Sequence, residues 1–136
     1  MNNFIPQAAA VPFRQEPGGT LAVLLIRRRP DGAWGIPKGL VDPGLTPQQA
    51  ALMEALEEAG VEGELLDTAL GEFQYEKFLG VCQVQVFAMR VTEVHAEYDE
   101  MRSRMRQWFP VQEAAELVGR PALRPMIRSL AAMLGR

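Results

Sequence analysis

The sequence predicts an α/β fold in which helices cover both faces of a mixed β-sheet. The alternating run 81–91 places apolar side chains on both faces of one strand, so both faces of the sheet need to be buried. Helical patterns over 47–59, 111–118 and 125–134 provide the covering helices. We therefore expect an α/β/α sandwich.

The other strands are predicted from apolar runs that end at turn residues. Residues 12–19 are expected to form the first strand and its turn, and 21–27 a buried strand. Three more strands are expected, at 34–36, 62–68 and 70–78. Residues 1–10 are predicted to be a flexible N-terminal tail, which leaves 11–136 as a single domain.

Length and composition exclude several classes of protein. A chain of 136 residues that is 48% hydrophobic supports one compact domain. Its longest apolar run, 21–26, is far shorter than the roughly 20 residues needed to cross a bilayer. The net charge of −3 argues against a protein that coats nucleic acid. We expect no membrane or nucleic-acid partner, and either a monomer or a homodimer.

Single cysteine and histidine residues limit the redox and metal chemistry. A lone Cys82 cannot form an internal disulfide, which fits a cytoplasmic location. A lone His95 excludes a zinc site built from several histidines.

A short acidic helix is the most informative segment. Thr46 and Gln49 have the spacing of a capping box, Pro47 suits the first helical position, and Gly60 is a typical left-handed stop. The acidic residues of this helix, which fall within an arc of roughly 100°, are Glu54, Glu57 and Glu58. The residues of the opposite, apolar side are Leu52, Ala55, Leu56 and Ala59.

This clustering of acid is unfavourable for an isolated helix. Like charges three or four residues apart cost about 0.2–0.5 kcal/mol per pair, and acid near the C-terminus opposes the helix dipole. A bound divalent cation would reverse both penalties. The alternative interpretation of the pattern taken alone is a solvated acidic face.

Together with the preceding glycine, this helix resembles the Nudix box. The matching residues are Gly39, Glu54, Ala55, Glu57, Glu58, Gly60 and Val61. Segments 34–39, 71–77 and 108–110 resemble the branch of diphosphoinositol polyphosphate phosphohydrolases. The resemblance covers most of residues 11–134 and implies the Nudix fold.

The resemblance also implies an activity and a set of site residues. It implies hydrolysis of a diphosphate linkage in a small molecule, such as a dinucleoside polyphosphate or a diphosphoinositol polyphosphate, with Mg²⁺ or Mn²⁺. The implied metal ligands are Glu57 and Glu58, joined by Glu54 and the Gly39 carbonyl. The catalytic candidates are Glu54, Glu57 and Glu100, and the sequence leaves open which acts as the general base.

Two box positions depart from the family pattern. Leu45 replaces an acid, and Met53 replaces the arginine that pairs with a helix glutamate in the family. Either another cation takes over, with Lys38 and the arginines at 27–29 as candidates, or activity is reduced. The alternative function is therefore a weak or inactive Nudix domain that binds a nucleotide or phosphorylated ligand.

Four basic residues are candidates for substrate binding. Lys38 adjoins the box glycine, and Arg102, Arg104 and Arg106 alternate. In an extended segment these three arginines would point the same way, and guanidinium groups suit bidentate contacts to phosphate. The alternative for the arginines is an ordinary solvated edge strand.

Overall fold

A mixed sheet of seven strands organises residues 4–77 and 80–134, which the computed structural model describes. The strands are β1 (Phe4–Gln15), β2 (Leu21–Arg28), β3 (Lys38–Leu40), β4 (Val61–Leu65), β5 (Gly71–Lys77), β6 (Gly80–Val94) and β7 (Arg104–Pro110). The helices are α1 (Pro47–Glu54), which continues as a π-helical turn (Ala55–Ala59), α2 (Val111–Leu117) and α3 (Leu123–Met133).

The longest path through the sheet runs in the order β4-β6-β1-β2-β7. Strands β1 and β6 pair in parallel at its centre, while β2 pairs antiparallel with β1 and β7 antiparallel with β2. The short strand β3 pairs with β1, and β5 pairs with β6. Because β3 carries Lys38 and Gly39, strand β1 holds the entrance to the predicted catalytic helix.

Hydrophobic cores on both faces of the sheet confirm the predicted α/β/α sandwich. One core contains Val84 and Val86 of β6 together with Ile127 of α3. The other contains Phe87 and Met89 of β6 against the first helix. The prediction that β6 is apolar on both faces is therefore confirmed.

The prediction of a flexible tail over residues 1–10 is wrong for residues 4–10, while residues 1–3 lie outside the described residues. Residues 4–10 belong to β1, which pairs with β6 from Phe4↔Val81 to Phe13↔Arg90. Alanine has little preference for strands, so the segment gives a weak local signal, and its order comes from a distant partner strand. The fully buried alanines at 8–10 take part in the two cores.

Small side chains on both sides let the first helix pack closely on β1. Ala8 and Ala10 face the alanines of the helix, and the helix alanines in the same core are Ala50, Ala51, Ala55 and Ala59. Packing distance between elements depends on the size of the contacting side chains. The helix therefore lies directly over the strand that holds Gly39.

The boundaries of several other elements differ from prediction. Residues 34–36 form only two isolated bridges, Ile26↔Gly35 and Trp34↔Val118, and the strand begins at Lys38. The strands predicted at 62–68 and 70–78 are found as Val61–Leu65 and Gly71–Lys77, with residue 78 outside the described residues. The helices predicted at 111–118 and 125–134 are α2 and α3, within two residues at each end. Among the described residues, no helix is long and apolar enough to cross a membrane.

The helix over 47–59 is confirmed, but its last turn is a π-helix. The N–H of Gly60 donates to the carbonyls of Ala55 and Leu56, and Gly60 has φ of 67°. A π turn rotates the residues that follow it relative to a regular α-helix. Glu58 is consequently only 7% exposed and Leu56 39% exposed, so the predicted division into acidic and apolar sides is wrong at these two positions.

The capping box at the start of the helix gives a test of its local stability. The Thr46 hydroxyl accepts from the Gln49 N–H, and the Gln49 side chain accepts from the Thr46 N–H. We expect Thr46→Ala to lower the free energy of unfolding by about 1 kcal/mol. Urea denaturation measures it, with Gln48→Ala at the neighbouring exposed position as control. Equal losses in both variants would show that the cap is not the cause.

Candidate active site

Gly39 and Glu54 meet where β3 passes the first helix. A side chain at position 39 would collide with the Glu54 carboxylate. Glycine therefore leaves room for this carboxylate beside the strand, which explains in steric terms why the two predicted residues occur together. The structure thus brings together Gly39 and Glu54 of the predicted metal-binding set.

Glu58 is the most buried of the helix acids and joins two strands to the helix. Its Oε1 accepts from the Lys38 backbone N–H at 3.0 Å, and its Oε2 accepts from Arg104 Nη2 at 3.2 Å. Burial raises the pKa of Glu58, while Arg104 and the Lys38 N–H oppose that rise. Each carboxylate oxygen retains lone pairs for a further ligand.

Glu54 lies in a strongly negative environment. Burial, followed by the charges of Glu58, Glu57, Glu100 and Asp42, raises the pKa of Glu54 to about 7. Several carboxylates thus lie close enough to disfavour one another's ionisation. A divalent cation bound here would offset this negative charge.

Arg104 connects two of these acids. Besides Glu58, its guanidinium contacts Glu100, with Nε donating to Glu100 Oε1 at 2.7 Å. The backbone N–H of Glu100 donates to the Glu57 carbonyl at 3.0 Å, which fixes the loop against the helix. Glu100, predicted as a catalytic candidate from a later loop, therefore lies beside the helix acids.

Although the box arginine is missing, Glu58 still has a positively charged partner. Met53, at the position of that arginine, is 42% exposed to solvent. The cation that contacts Glu58 comes instead from β7, as Arg104. The predicted replacements were Lys38 and the arginines at 27–29. Lys38 contributes its backbone N–H to Glu58, and Arg104 contributes the charged side-chain contact.

A polar chain holds the side chain of Lys38. Lys38 Nζ donates to the Tyr75 hydroxyl at 3.0 Å, and that hydroxyl donates to Gln7 Oε1 at 2.9 Å. Gln7 is buried. Sequence analysis missed Gln7, because it lies in the presumed tail, and missed Tyr75, although Tyr75 lies in segment 71–77 that carries the family resemblance.

The prediction that three alternating arginines point the same way is wrong. Arg102 is exposed in the turn before β7, and only Arg104 and Arg106 lie on the strand. Arg106 donates to main-chain carbonyls, from Nη1 to Ala59 at 2.7 Å and from Nη2 to His95 at 2.6 Å. Arg106 therefore secures the end of the acidic helix, and Arg104 contacts the Glu58 carboxylate of that helix.

An open cavity of about 460 Å³ adjoins Glu58. The basic residues that line it are Arg27, Arg28, Lys38, Arg104 and Arg120. Arg120, which precedes the last helix, was not predicted, because only the fold brings it here. The buried Nε of Arg27 has no hydrogen-bond partner among the described residues, and its guanidinium lies 4.7 Å from the centre of the Trp34 ring.

A second cavity of about 350 Å³ is also lined by Glu58. Its acidic residues are Asp42, Glu54 and Glu58. Asp42 was also missed by sequence analysis, because a single Asp in a turn carries no pattern. Glu58 therefore lines both cavities, together with Arg28, Lys38 and Arg104.

Comparison with known proteins supports the resemblance seen in the sequence. The family model described as NUDIX domain matches residues 4–130. Nudix hydrolase 12, mitochondrial, of Arabidopsis thaliana is 32% identical over an alignment that covers 85% of this chain and 67% of that protein. Diphosphoinositol polyphosphate phosphohydrolase 3-beta of Bos taurus is 32% identical over 117 residues, covering 85% and 70% respectively.

Solved structures agree in fold. The crystal structure of C. elegans Ap4A hydrolase superposes with a TM-score of 0.78 and 23% identity, covering 96% of this chain and 98% of that one. The fold, the box residues around Gly39 and the match over nearly all of the sequence lead to one conclusion: the chain belongs to the Nudix family.

Proposed function

We propose that this protein is a divalent-metal-dependent pyrophosphohydrolase that cleaves a diphosphate linkage in a small, multiply phosphorylated molecule. The observation that carries the proposal is the position of two box carboxylates: Glu58 lines both cavities and Glu54 lines the second, beside the basic side chains of Arg28, Lys38 and Arg104. Membership of the Nudix family and relatives named as hydrolases support the reaction class.

The donor set fits a hard divalent cation. Carboxylate and carbonyl oxygens are the ligands that Mg²⁺ and Mn²⁺ prefer. We propose that Glu54, Glu57, Glu58 and the Gly39 carbonyl hold Mg²⁺ or Mn²⁺. When bound, such a cation neutralises charge on the diphosphate and lowers the pKa of an attacking water. The raised pKa of Glu54 supports the fit, because burial and then the charges of four neighbouring carboxylates cause it, and a bound cation would offset those charges.

In this proposal, Arg104 takes the role that the box arginine has in the family. It contacts both Glu58 and Glu100, so it fixes one proposed metal ligand and one candidate base with a single guanidinium. A planar guanidinium holds two acids in a defined geometry better than a lysine does. The loss of arginine at position 53 is therefore compatible with an active enzyme, and Glu54, Glu57 and Glu100 remain the catalytic candidates.

The basic cavity favours a substrate that carries several phosphates. Five cationic side chains line it, and guanidinium groups bind phosphate in bidentate fashion. Trp34 is less available for stacking on a base, because its ring packs edge-on against Phe109 at 5.1 Å and beneath Arg27. We therefore place diphosphoinositol polyphosphates ahead of dinucleoside polyphosphates, as the name of the Bos taurus relative also suggests.

The cellular setting is also part of the proposal. Cys82 is a buried free thiol, which fits a reducing cytoplasm.

Metal-dependent turnover is the first prediction. With Mg²⁺ or Mn²⁺, we expect release of phosphate or nucleotide from a panel of inositol pyrophosphates, diadenosine polyphosphates and nucleotide sugars, and no release with chelator. Glu57→Gln is expected to lower turnover by more than about 100-fold, because a ligand to the charge-stabilising cation is lost.

Glu116→Gln on the exposed face of α2 is the matched control for this assay. Cleavage that survives chelation, or unchanged turnover in Glu57→Gln, would overturn the assignment. Binding of the panel without cleavage would favour the alternative of a ligand-binding Nudix domain.

The role of Arg104 gives a second prediction. We expect Arg104→Met to lower kcat by about 10- to 100-fold, as loss of a supporting partner typically does, with a weaker affinity for Mg²⁺. Met53→Arg in the native background is expected to change kcat little, because Glu58 already has a cationic partner. Steady-state kinetics over a range of Mg²⁺ concentrations measures both. A rise in KM alone in Arg104→Met would assign Arg104 to substrate binding only.

The pKa of Glu54 gives a third prediction, for the metal-free protein. The unfolded carboxyl has an ordinary pKa and the folded one a pKa of about 7, so between these values the folded state binds more protons. The contribution of Glu54 to the free energy of unfolding is therefore fully present below about pH 4.5 and is lost as pH rises through 7. In chelator, Glu54→Gln should melt at a higher temperature than the native protein at pH 7.5, and the difference should vanish near pH 4.5.

Thermal melts at several pH values measure this difference, again with Glu116→Gln as control. Mg²⁺ at pH 7.5 should raise the melting temperature of the native protein by binding the folded state. Parallel pH profiles for the native protein and Glu54→Gln would contradict the electrostatic account.

A further inference from the structure

Three potential metal ligands converge on the sheet, separate from the box carboxylates. They are Glu62 of β4, Glu93 of β6 and His95, which follows β6, and their ligand atoms all lie within 4.8 Å of one another. His95 Nε2 lies 2.6 Å from Glu62 Oε2 and 3.4 Å from Glu93 Oε2. We call these three residues the β4–β6 cluster.

The strand register creates the β4–β6 cluster. Glu62 pairs directly with Glu93 across the antiparallel strands, and the register shifts after Glu62. His95 lies two residues beyond Glu93, and side chains two residues apart point to the same face of a strand. The sheet therefore presents two carboxylates and one imidazole together.

Backbone contacts hold His95 firmly in place. Its N–H donates to the Gly60 carbonyl at 2.8 Å, and its own carbonyl accepts from Arg106 Nη2 at 2.6 Å. Ligands on rigid, hydrogen-bonded elements lose little freedom when they bind a metal. His95 is in this sense preorganised within the β4–β6 cluster.

The charges of the β4–β6 cluster also favour a cation. Carboxylates directly opposite each other on neighbouring strands repel. A divalent ion would neutralise both and would release the proton that His95 Nε2 and Glu62 Oε2 share at 2.6 Å, so that this nitrogen becomes the third ligand. One nitrogen and two carboxylate donors suit zinc or a similar transition metal better than Mg²⁺, which prefers oxygen ligands throughout. The exposed carboxylates leave room for water in a fourth position.

We propose that Glu62, Glu93 and His95 form a second cation site, which takes Zn²⁺ or a chemically similar transition metal. The site is coupled to the catalytic helix, because the carbonyls of Ala59 and Gly60 are linked to His95 through Arg106 and through the His95 N–H. Occupancy would therefore stabilise the end of the π-helical turn that carries Glu57 and Glu58.

The single histidine allows a direct test. Zn²⁺ is titrated into the intact protein in excess Mg²⁺, which is added to fill the proposed box site, and the imidazole resonances of His95 are followed by NMR. We expect a saturable shift of these resonances, with one Zn²⁺ bound per chain by calorimetry. His95→Gln and Glu62→Gln should each weaken Zn²⁺ binding by about tenfold or more, since loss of even an outer partner costs that much.

Glu64→Gln, an exposed acid on the same strand, is the matched control and should keep the native affinity. Zn²⁺ should also raise the melting temperature of the native protein and of Glu64→Gln, but not of His95→Gln. The proposal is overturned if no Zn²⁺ binds, if the His95 resonances do not move, or if His95→Gln binds Zn²⁺ as well as the native protein does.

Discussion

The arrangement of the cleft, which comprises the two cavities and the helix acids beside them, depends on one buried carboxylate. Glu58 receives a hydrogen bond from the backbone of β3 on one oxygen and from Arg104 of β7 on the other. It therefore ties the helix to two strands that are distant in sequence. Burying an acid without such partners would cost free energy of folding. These contacts therefore fix the positions of the helix, β3 and Arg104 relative to one another.

In this protein a residue of the family motif is absent, and another strand supplies a positive charge beside the motif. The box arginine is replaced by an exposed methionine, and the charge beside Glu58 comes from Arg104 on β7. In the proposed function, Arg104 supplies the guanidinium that the box arginine supplies in the family. With the structure known, the replacement of the box arginine by Met53 is therefore a weaker argument against activity than the sequence alone suggests.

Much of the fold was predictable because its signals are local. The capping box, the left-handed stop at Gly60 and the two apolar faces of β6 are all written in short patterns. The presumed tail was not predictable, because the order of residues 4–10 comes from pairing with β6 more than 70 residues away. The same error hid Gln7 and the way β1 holds Gly39.

The glutamates of the candidate site could largely be predicted from the sequence, whereas its basic side chains could not. The glutamates share one helix, whereas Arg104 and Arg120 reach the cleft only through the strand order and the packing of the last helices. Alternation suggested three equivalent arginines, yet a turn removes Arg102 and main-chain carbonyls bind Arg106. The π turn, which buries Glu58, also has no local signature.

A double-mutant cycle between Arg104 and Glu58 tests most directly whether this contact organises the cleft. The free energies of unfolding of Arg104→Met, Glu58→Gln and the double variant are measured by urea denaturation in chelator. The account predicts a coupling energy of about 0.5–3 kcal/mol, as for residues in contact. Losses that add to within about 0.3–0.5 kcal/mol would show that the two residues act independently, and would contradict the account.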